Sequence, residues 1–490
     1  MTEAARRSSS AARARYLKRR NARRRAETRF RLYGIAGVSV AVIALAALLA
    51  SIIETGASAF WQHILVLDVE AEEEKLFGET GASVDAADSF EFANYGDLWR
   101  TAIAEQFPTV QEPRELRRLF GVVNAFAALD VRKALIADPS AIGSTVRVRT
   151  PTSDDVDLLF KGAVTDMRET RGDSAARLRV DSNGEGAIAF QGEVAARLRA
   201  RFAAEDAAPL QLTQDMPTFL IEADGGVIKL AEIRDREARG RVMTPPAKSD
   251  VALAPGDWRL VEITTPELQR RIKDDQVVWA RALKERGMIK AAFNTRLFTN
   301  SDSREPEIAG LAGAIVGSAL VMIVTIALSF PVGVATAVYL EEYAPKNRLT
   351  DIIEVNINNL AAVPSIIFGL LGLAVLLNTF GMPRSAPIVG GIVLALMTLP
   401  TIIIAGRAAL QAVPPSIRDA AIGVGASRTQ AIFDHVLPLA MPGILTGAIL
   451  GMARALGETA PLLMIGMVAF IADPPTSFTA PASVLPVQIF

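Results

Sequence analysis

Cysteine is absent from all 490 residues, which excludes disulfides, thiolate metal sites and cysteine nucleophiles. Histidine is nearly absent: His63 and His435 stand alone and far apart in sequence, so imidazole-rich metal sites and most serine-histidine catalysis have few parts. No G-x-x-x-x-G-K-[ST] run occurs, so the chain has no P-loop to cradle a nucleotide. No cofactor or metal of its own is expected. Excess charge is lacking too: 52 Lys and Arg oppose 53 Asp and Glu, which argues against a nucleic-acid binder that works through overall charge.

What is present is unevenly spread. Half of the residues are hydrophobic, and several stretches run for about 20 residues almost free of charge, the length a helix needs to cross a hydrocarbon core about 30 Å thick. Gly34 to Ile53, Ala309 to Phe330, Asn358 to Asn378, Ile388 to Gly406 and Met441 to Phe470 are read as five spans of an α-helical integral membrane protein, the last carrying two charges. Twelve basic residues between Arg6 and Arg31 face only Glu3 and Glu27 before the first span. Basic flanks stay on the cytoplasmic side, so residues 1–33 form a basic cytoplasmic tail, which as a disordered segment would also touch anionic lipid. Aromatic interleaving is nearly absent there, which disfavours nucleic acid. Ala57-Ser58-Ala59 resembles a cleavage site, but the apolar core is long for a signal peptide, and residues 34–53 are read as an uncleaved anchor.

Residues 54–308 are too long for a loop and have ordinary soluble composition, so a separate extracytoplasmic α+β domain is expected. Its first part, to about Ala137, reads as helical. Hairpins are signalled at Val180 to Gly184 and around Asp224-Gly225-Gly226. Thr244-Pro245-Pro246 reads as a linker, and Thr265-Pro266 as the start of a helix whose face carries Leu268, Ile272, Trp279 and Leu283 and which Gly287 ends. In the membrane part, residues 309–490, Tyr339 to Glu354 and residues 407–438 fall inside. Gly381-Met382-Pro383-Arg384 forms the turn between the third and fourth spans. Pro331, Pro364 and Pro400 are expected to bend or end spans. Gly313 and Gly317, and Gly443, Gly447 and Gly451, follow the small-xxx-small spacing of close helix packing.

Two stretches carry candidate chemistry. Ser416 to Arg428, continuing to Leu437-Pro438, reads as a short helix, a glycine reversal and a second short helix, suited to docking in a groove. An ordinary amphipathic connector fits the same spacing. Ala453-Arg454-Ala455-Leu456-Gly457-Glu458-Thr459-Ala460-Pro461 puts two charges four residues apart inside a span. Arg454 and Glu458 could simply neutralise each other, or Arg454 could attract an oxyanion by charge and forked hydrogen bonds while Glu458 positions it and limits tight binding.

Asp419-Ala420-Ala421, then Gly425, then Leu437-Pro438 resembles the EAA loop of importer-type ABC permeases. The Arg-Ala-x-Gly-Glu-Thr-Ala-Pro-Leu stretch, Ser329 to Gly333, Val363-Pro364-Ser365 and Pro438 to Gly443 are similar to the PstA permeases of phosphate importers, over about Phe298 to Phe490. That resemblance implies the ABC importer permease fold, a bacterial inner membrane location and no catalysis by the chain itself. It assigns Arg454, Glu458 and Thr459 to the substrate path, and Asp419, Ala420, Ala421, Gly425, Leu437 and Pro438 to ATPase coupling. The implied partners are a PstC-like second permease, a PstB-like ATPase dimer carrying ATP and magnesium, a PstS-like periplasmic phosphate-binding protein and membrane lipid. Asp419 stands where glutamate is usual and His435, read as a partly buried packing residue, where an apolar residue is usual. Arg407 is offset from the basic position that relatives often have near Ile404, and relatives continue into a sixth span without a counterpart here. The alternatives are a membrane-anchored sensor and a permease for another oxyanion such as molybdate or sulfate.

Overall fold

The computed structural model describes residues 3–77, 93–181, 184–202, 209–467 and 470–489, with side chains from residue 27 onward. The chain divides into two bodies.

Residues 1–62 with 291–293 make the first. Its helix α1 (Glu3–Gly56) extends the expected anchor in both directions, and the backbone of the basic run is helical as far back as Glu3. The apolar portion, Glu27–Phe60, is long enough to cross a bilayer. Past its end the Phe60 and Phe293 rings stack 6.5 Å apart and Trp61 meets Phe293 edge-on at 6.1 Å, the kind of aromatic cluster that settles at a membrane interface.

The second body begins with an α+β region. Strand β1 (Trp61–Glu70) pairs antiparallel with β2 (Thr145–Pro151) from Ile64 onward. Between these strands lie α2 (Glu73–Phe77), α3 (Tyr95–Ala104), α4 (Pro113–Phe120) and α5 (Ala127–Ala137). The stretch before Ala137 is thus helical as expected except for β1, whose apolar run Ile64 to Leu67 is too short to distinguish helix from strand by periodicity. After α6 (Asp154–Phe160), nearly all remaining strands join one antiparallel sheet: β3 (Met167–Arg171), β4 (Ala176–Val180), β5 (Glu185–Phe190), β6 (Leu210–Gln211), β7 (Thr218–Ala223), β8 (Gly226–Ile233), β9 (Glu237–Thr244), β10 (Asp250–Leu253) and β11 (Trp258–Ile263). Their order is β10-β4-β5-β9-β8-β7-β11-β3, with β6 beside β8. Period-two alternation separates its faces. Leu220, Val261 and Ile263 join the helical core with Leu65, Leu98 and Leu135. Phe219, Ile221, Trp258 and Leu260 instead pack with Ile188 and Leu198, the latter on α7 (Val194–Ala200).

The β7–β8 hairpin closes as expected through Asp224 and Gly225, both at positive φ (49° and 74°), which matches the strand twist. The Val180 to Gly184 turn is flanked by paired strands β4 and β5, but its centre, Ser182-Asn183, lies outside the described residues. Two expectations need correction. Thr244-Pro245-Pro246 links β9 to β10 within one sheet rather than joining domains. The helix expected from Thr265 starts nine residues later, as α8 (Asp274–Glu285), where the Gln276 side chain accepts from the Lys273 backbone N–H at 3.1 Å. Leu268 is consequently exposed, while Ile272, Trp279 and Leu283 are buried and Gly287 follows the helix end at φ 74°.

Short helix α9 (Arg296–Thr299) leads into the membrane part, whose first long helix is α10 (Ala312–Val338), continued by a widened turn at Tyr339–Tyr343. The expected third span is broken: α11 (Arg348–Ala361) meets α12 (Ser365–Leu371), continued to Thr379, at a 104° bend. Pro364 sits at that break, whereas Pro331 and Pro400 lie inside α10 and α13 (Pro387–Gln411) without ending them. Then come α14 (Pro415–Gly423), α15 (Arg428–Gln430), α16 (Leu437–Leu456), α17 (Ala460–Met464) and α18 (Leu485–Ile489). Among the described residues four helices are long and apolar enough to cross a membrane, five if the bent pair counts as one. The expected fifth span ends early, because the continuous helix running from Arg428 stops at Leu456. The small-residue spacing is used: Cβ atoms added at Gly443 and Gly447 would fall 2.7 and 2.2 Å from the Cβ atoms of Ala409 and Ala405 on α13.

Among the described residues of the α+β region the most deeply buried ion pair is Asp274 with Arg270. Asp274, at the start of α8, meets Lys229 Nζ at 2.5 Å, Thr218 Oγ1 at 3.2 Å and the buried Arg270 guanidinium. Burial alone would raise its pKa, but the Lys229 hydrogen bond and the Arg270 and Lys229 charges outweigh that and hold it below the ordinary carboxylate value. A depressed native pKa contributes stability above about pH 4, lost as pH falls through the native value. Asp274→Asn should therefore destabilise the α+β region by about 3–5 kcal/mol at pH 7, with the deficit shrinking below about pH 4, as read by denaturation with a fluorescence signal from its tryptophans.

Candidate functional site

The expected helix, reversal and helix are present. α14 ends at Gly423, the chain turns at Val424-Gly425, and Ser427 caps α15 through a reciprocal hydrogen-bond pair with Gln430. Gly425 lies at φ 99°, a conformation L side chains rarely adopt. Around it Asp419, Ala420, Ile422 and Val424 are exposed, Val424 by 86%, and Ala421 is buried beneath them. The tip thus presents exposed apolar side chains beside one carboxylate. Leu437 and Pro438 open α16, and Leu437 packs into the core formed by Val338, Leu410, Val436 and Ile444. His435 is exposed, not partly buried as expected, because the widened turn Ala431–Val436 directs Ala431, Ile432 and Val436 inward instead.

A feature unread in the sequence holds this elbow in place. Glu342, buried in the turn that ends α10, receives Arg418 of α14 through a forked contact, Nε to Oε1 at 3.0 Å and Nη2 to Oε1 at 2.5 Å. Arg418 also donates to the Val413 and Leu410 carbonyls at 2.8 and 3.0 Å. Arg428 donates to the Glu342 carbonyl oxygen and lies over the Tyr343 ring at 5.6 Å. Beside it Arg407 reaches Glu354 of α11 at 2.8 Å and Glu341 at 3.5 Å, and Gln411 donates to Glu341 at 2.9 Å. Tyr339 to Glu354 and residues 407–438 thus meet at one end of the bundle. The signal was present as two acids, Glu341 and Glu342, and the basic Arg418 beside Asp419, but 76 residues separate the partners.

The second stretch lies at the opposite end of α16. Arg454 occupies the last helical turn, about 26 Å from Leu437 by helical rise rather than mid-span. Gly457 ends the helix, so Glu458 sits beyond it and reaches back to Arg454 at 3.5 Å. The pair is brought together, but unequally: the Arg454 side chain is 52% exposed and that of Glu458 20%. Leu439, Thr446, Leu450 and Ala453 continue the exposed side along the helix beside Arg454. Thr459 turns away, its hydroxyl donating to the Pro486 carbonyl at 3.4 Å. The segment beyond it packs at the end where α10 begins: Leu485 N–H donates to Ser318 Oγ at 2.9 Å, and Ala482 N–H to Ser385 O, also at 2.9 Å. An exposed guanidinium with one distant carboxylate partner keeps free donors for an oxyanion.

Gly425→Ala is expected to strain the reversal by about 1–2 kcal/mol, since the obstacle is backbone conformation and nothing lies within 4 Å of the added Cβ. Amide exchange over residues 415–430 should quicken, whereas Gly423→Ala, at an equally open position in ordinary conformation, should leave it unchanged.

Residues 329–489 match the family described as "Binding-protein-dependent transport system inner membrane component", and residues 17–169 match a domain of unknown function (DUF3333). The probable ABC transporter permease protein YqgI of Bacillus subtilis (strain 168) is 34% identical over 31% of this chain and 52% of its own length. The phosphate transport system permease protein PstA 1 of Mycobacterium tuberculosis (strain ATCC 25618 / H37Rv) is 36% identical over 32% of this chain and 50% of its own. PstA of Yersinia pestis is 35% identical over 37% and 60%. The chain spans about half the length of the curated relatives it matches. Among solved structures, the MetNI methionine ABC transporter in an inward-facing form aligns at 20% identity over 30% of this chain and 68% of that one, with a TM-score of 0.27. Residues 329–489 thus match a binding-protein-dependent transport permease model and are similar in sequence to PstA permeases, while residues 17–169 match a separate domain model.

Proposed function

We propose that the chain is one of two permease subunits of an ATP-driven importer of inorganic phosphate. The observation that carries this reading is the exposed Arg454 at the end of an apolar helix whose other end leads into the docking elbow. At the end of its helix an arginine can reach the headgroup level at little cost, so the reading rests on its exposed donors beside Glu458, which a second, PstC-like permease would enclose as a polar lane. Phosphate meets there a planar fork of donors, and the nearby Glu458 carboxylate limits how tightly it is held. Thr459, which the PstA resemblance assigns to the path, would join it once its bond to Pro486 is released.

The exposed tip formed by Asp419, Ala420, Ile422 and Val424 is the part that enters a PstB-like ATPase, with ATP and magnesium bound on that partner. The amino terminus and the elbow lie in the cytoplasm of a bacterial cell, and residues 54–308 on the other side of the inner membrane, where a PstS-like protein delivers phosphate. ATPase closure pushes on the elbow, and the motion reaches Arg454 through α16.

Arg454→Ala should leave assembly with the partner subunits intact and lower phosphate uptake in reconstituted vesicles by about ten- to hundredfold, the loss expected for charge-assisted bonds worth about 1.5–3 kcal/mol. Uptake at the unaltered rate would rule out the path role.

A further inference from the structure

Helix α5 is apolar on two opposite sides. Ala127, Val131 and Leu135 enter the core of the α+β region. On the other side Phe126, Leu129 and Ile136 are 37, 44 and 50% exposed, with the exposed Lys133 among them, at the three- and four-residue spacing of one helical face. A short helix with one apolar face already buried and a second left open needs a second apolar medium.

Its position identifies that medium. Asp130, almost buried beside this face, pairs with Arg296 of α9 at 2.9 Å. Residues of and just after α9 are bonded directly to the start of the long apolar helix α10: Leu311 N–H donates to Leu297 O at 2.7 Å and Ala312 N–H to Asn300 O at 2.9 Å. Phe298, in the same turn, is 46% exposed. The open face of α5 therefore stands at the level where α10 begins, which on the spanning reading of α10 is the headgroup boundary.

We propose that α5 is an interfacial helix: Phe126, Leu129 and Ile136 lie in the headgroup and upper acyl region of the bilayer, and Lys133 meets lipid phosphate. The outer region is thereby braced on the membrane through the Asp130–Arg296 contact. A helix so placed buries its apolar side about 5–10 Å into the boundary.

The absence of cysteine permits a direct test with single bimane labels on the full chain in phosphatidylcholine–phosphatidylglycerol vesicles. Labels go on Leu129→Cys and Ile136→Cys, and on Ile323→Cys, an exposed site on α10 about 16 Å from Ala312 and so near the middle of the hydrocarbon. The α5 labels should be quenched about twofold more by a shallow nitroxide lipid than by a deep one, with the reverse at Ile323. If Ile323 is quenched and the α5 labels are instead open to aqueous iodide, the interfacial assignment fails while the span stands. Shielding of the α5 labels from both lipid nitroxide and iodide means that protein covers the face, and also overturns it. No lipid quenching at any of the three sites overturns the spanning reading and this proposal together.

Discussion

The contact between Glu342 and Arg418 is the constraint on which the functional half of the molecule depends. A carboxylate buried at the end of a long apolar helix must be paired, and arginine can answer it with two donors while its remaining donors reach nearby carbonyls. Arg418 does this, so α14 is tied to the end of α10 at the point where its exposed tip begins. Arg407, held by Glu341 and Glu354, ties α10, α11 and α13 together beside it. An elbow fixed in this way is tied to the helices at both Glu342 and the Leu410 and Val413 carbonyls.

The elbow leads directly into the next segment. From Arg428 to Leu456 the helix is continuous, about 42 Å by helical rise, with the elbow at one end and Arg454 in the last turn of the other. Gly443 and Gly447 set it tightly against α13, where added Cβ atoms would clash with Ala409 and Ala405. Close packing of this kind transmits displacement, because packed interfaces shift between discrete arrangements and do not deform smoothly. The helix then breaks at Gly457, and the chain beyond it binds the end of the bundle where α10 starts. The two chemical stretches that stood apart in the sequence are the two ends of one rod.

Much of this was legible in the residues, for identifiable reasons. Charge-free runs marked α10 and α13 because burial in lipid leaves no other option, and Asp224-Gly225 announced its hairpin because both positions need positive φ. Hydropathy did not show the 104° bend at Pro364 within Asn358 to Asn378, since a count of apolar residues is blind to it. Hydropathy failed past Leu456, where glycine and proline end a helix that composition would continue. Thr265-Pro266 offered a sound helix start, yet Pro266 stays extended at ψ 148° and the helix begins at Asp274, where Gln276 accepts from the Lys273 N–H. The helix, reversal and helix of Ser416 to Arg428 were legible from local spacing and Gly425, whereas a coupling role was implied only by the resemblance to the EAA loop. The Arg418–Glu342 contact was not legible, because partners 76 residues apart leave no periodic trace.

On the importer reading, the central claim is that this ion pair couples the docking elbow to the membrane helices. It is tested most directly by measuring ATP hydrolysis and phosphate uptake together in reconstituted complexes carrying Arg418→Glu, Glu342→Arg or both. The account predicts that each single change leaves hydrolysis running while uptake falls, and that the exchanged pair recovers much of the lost uptake. Normal uptake per ATP in both single variants would contradict it.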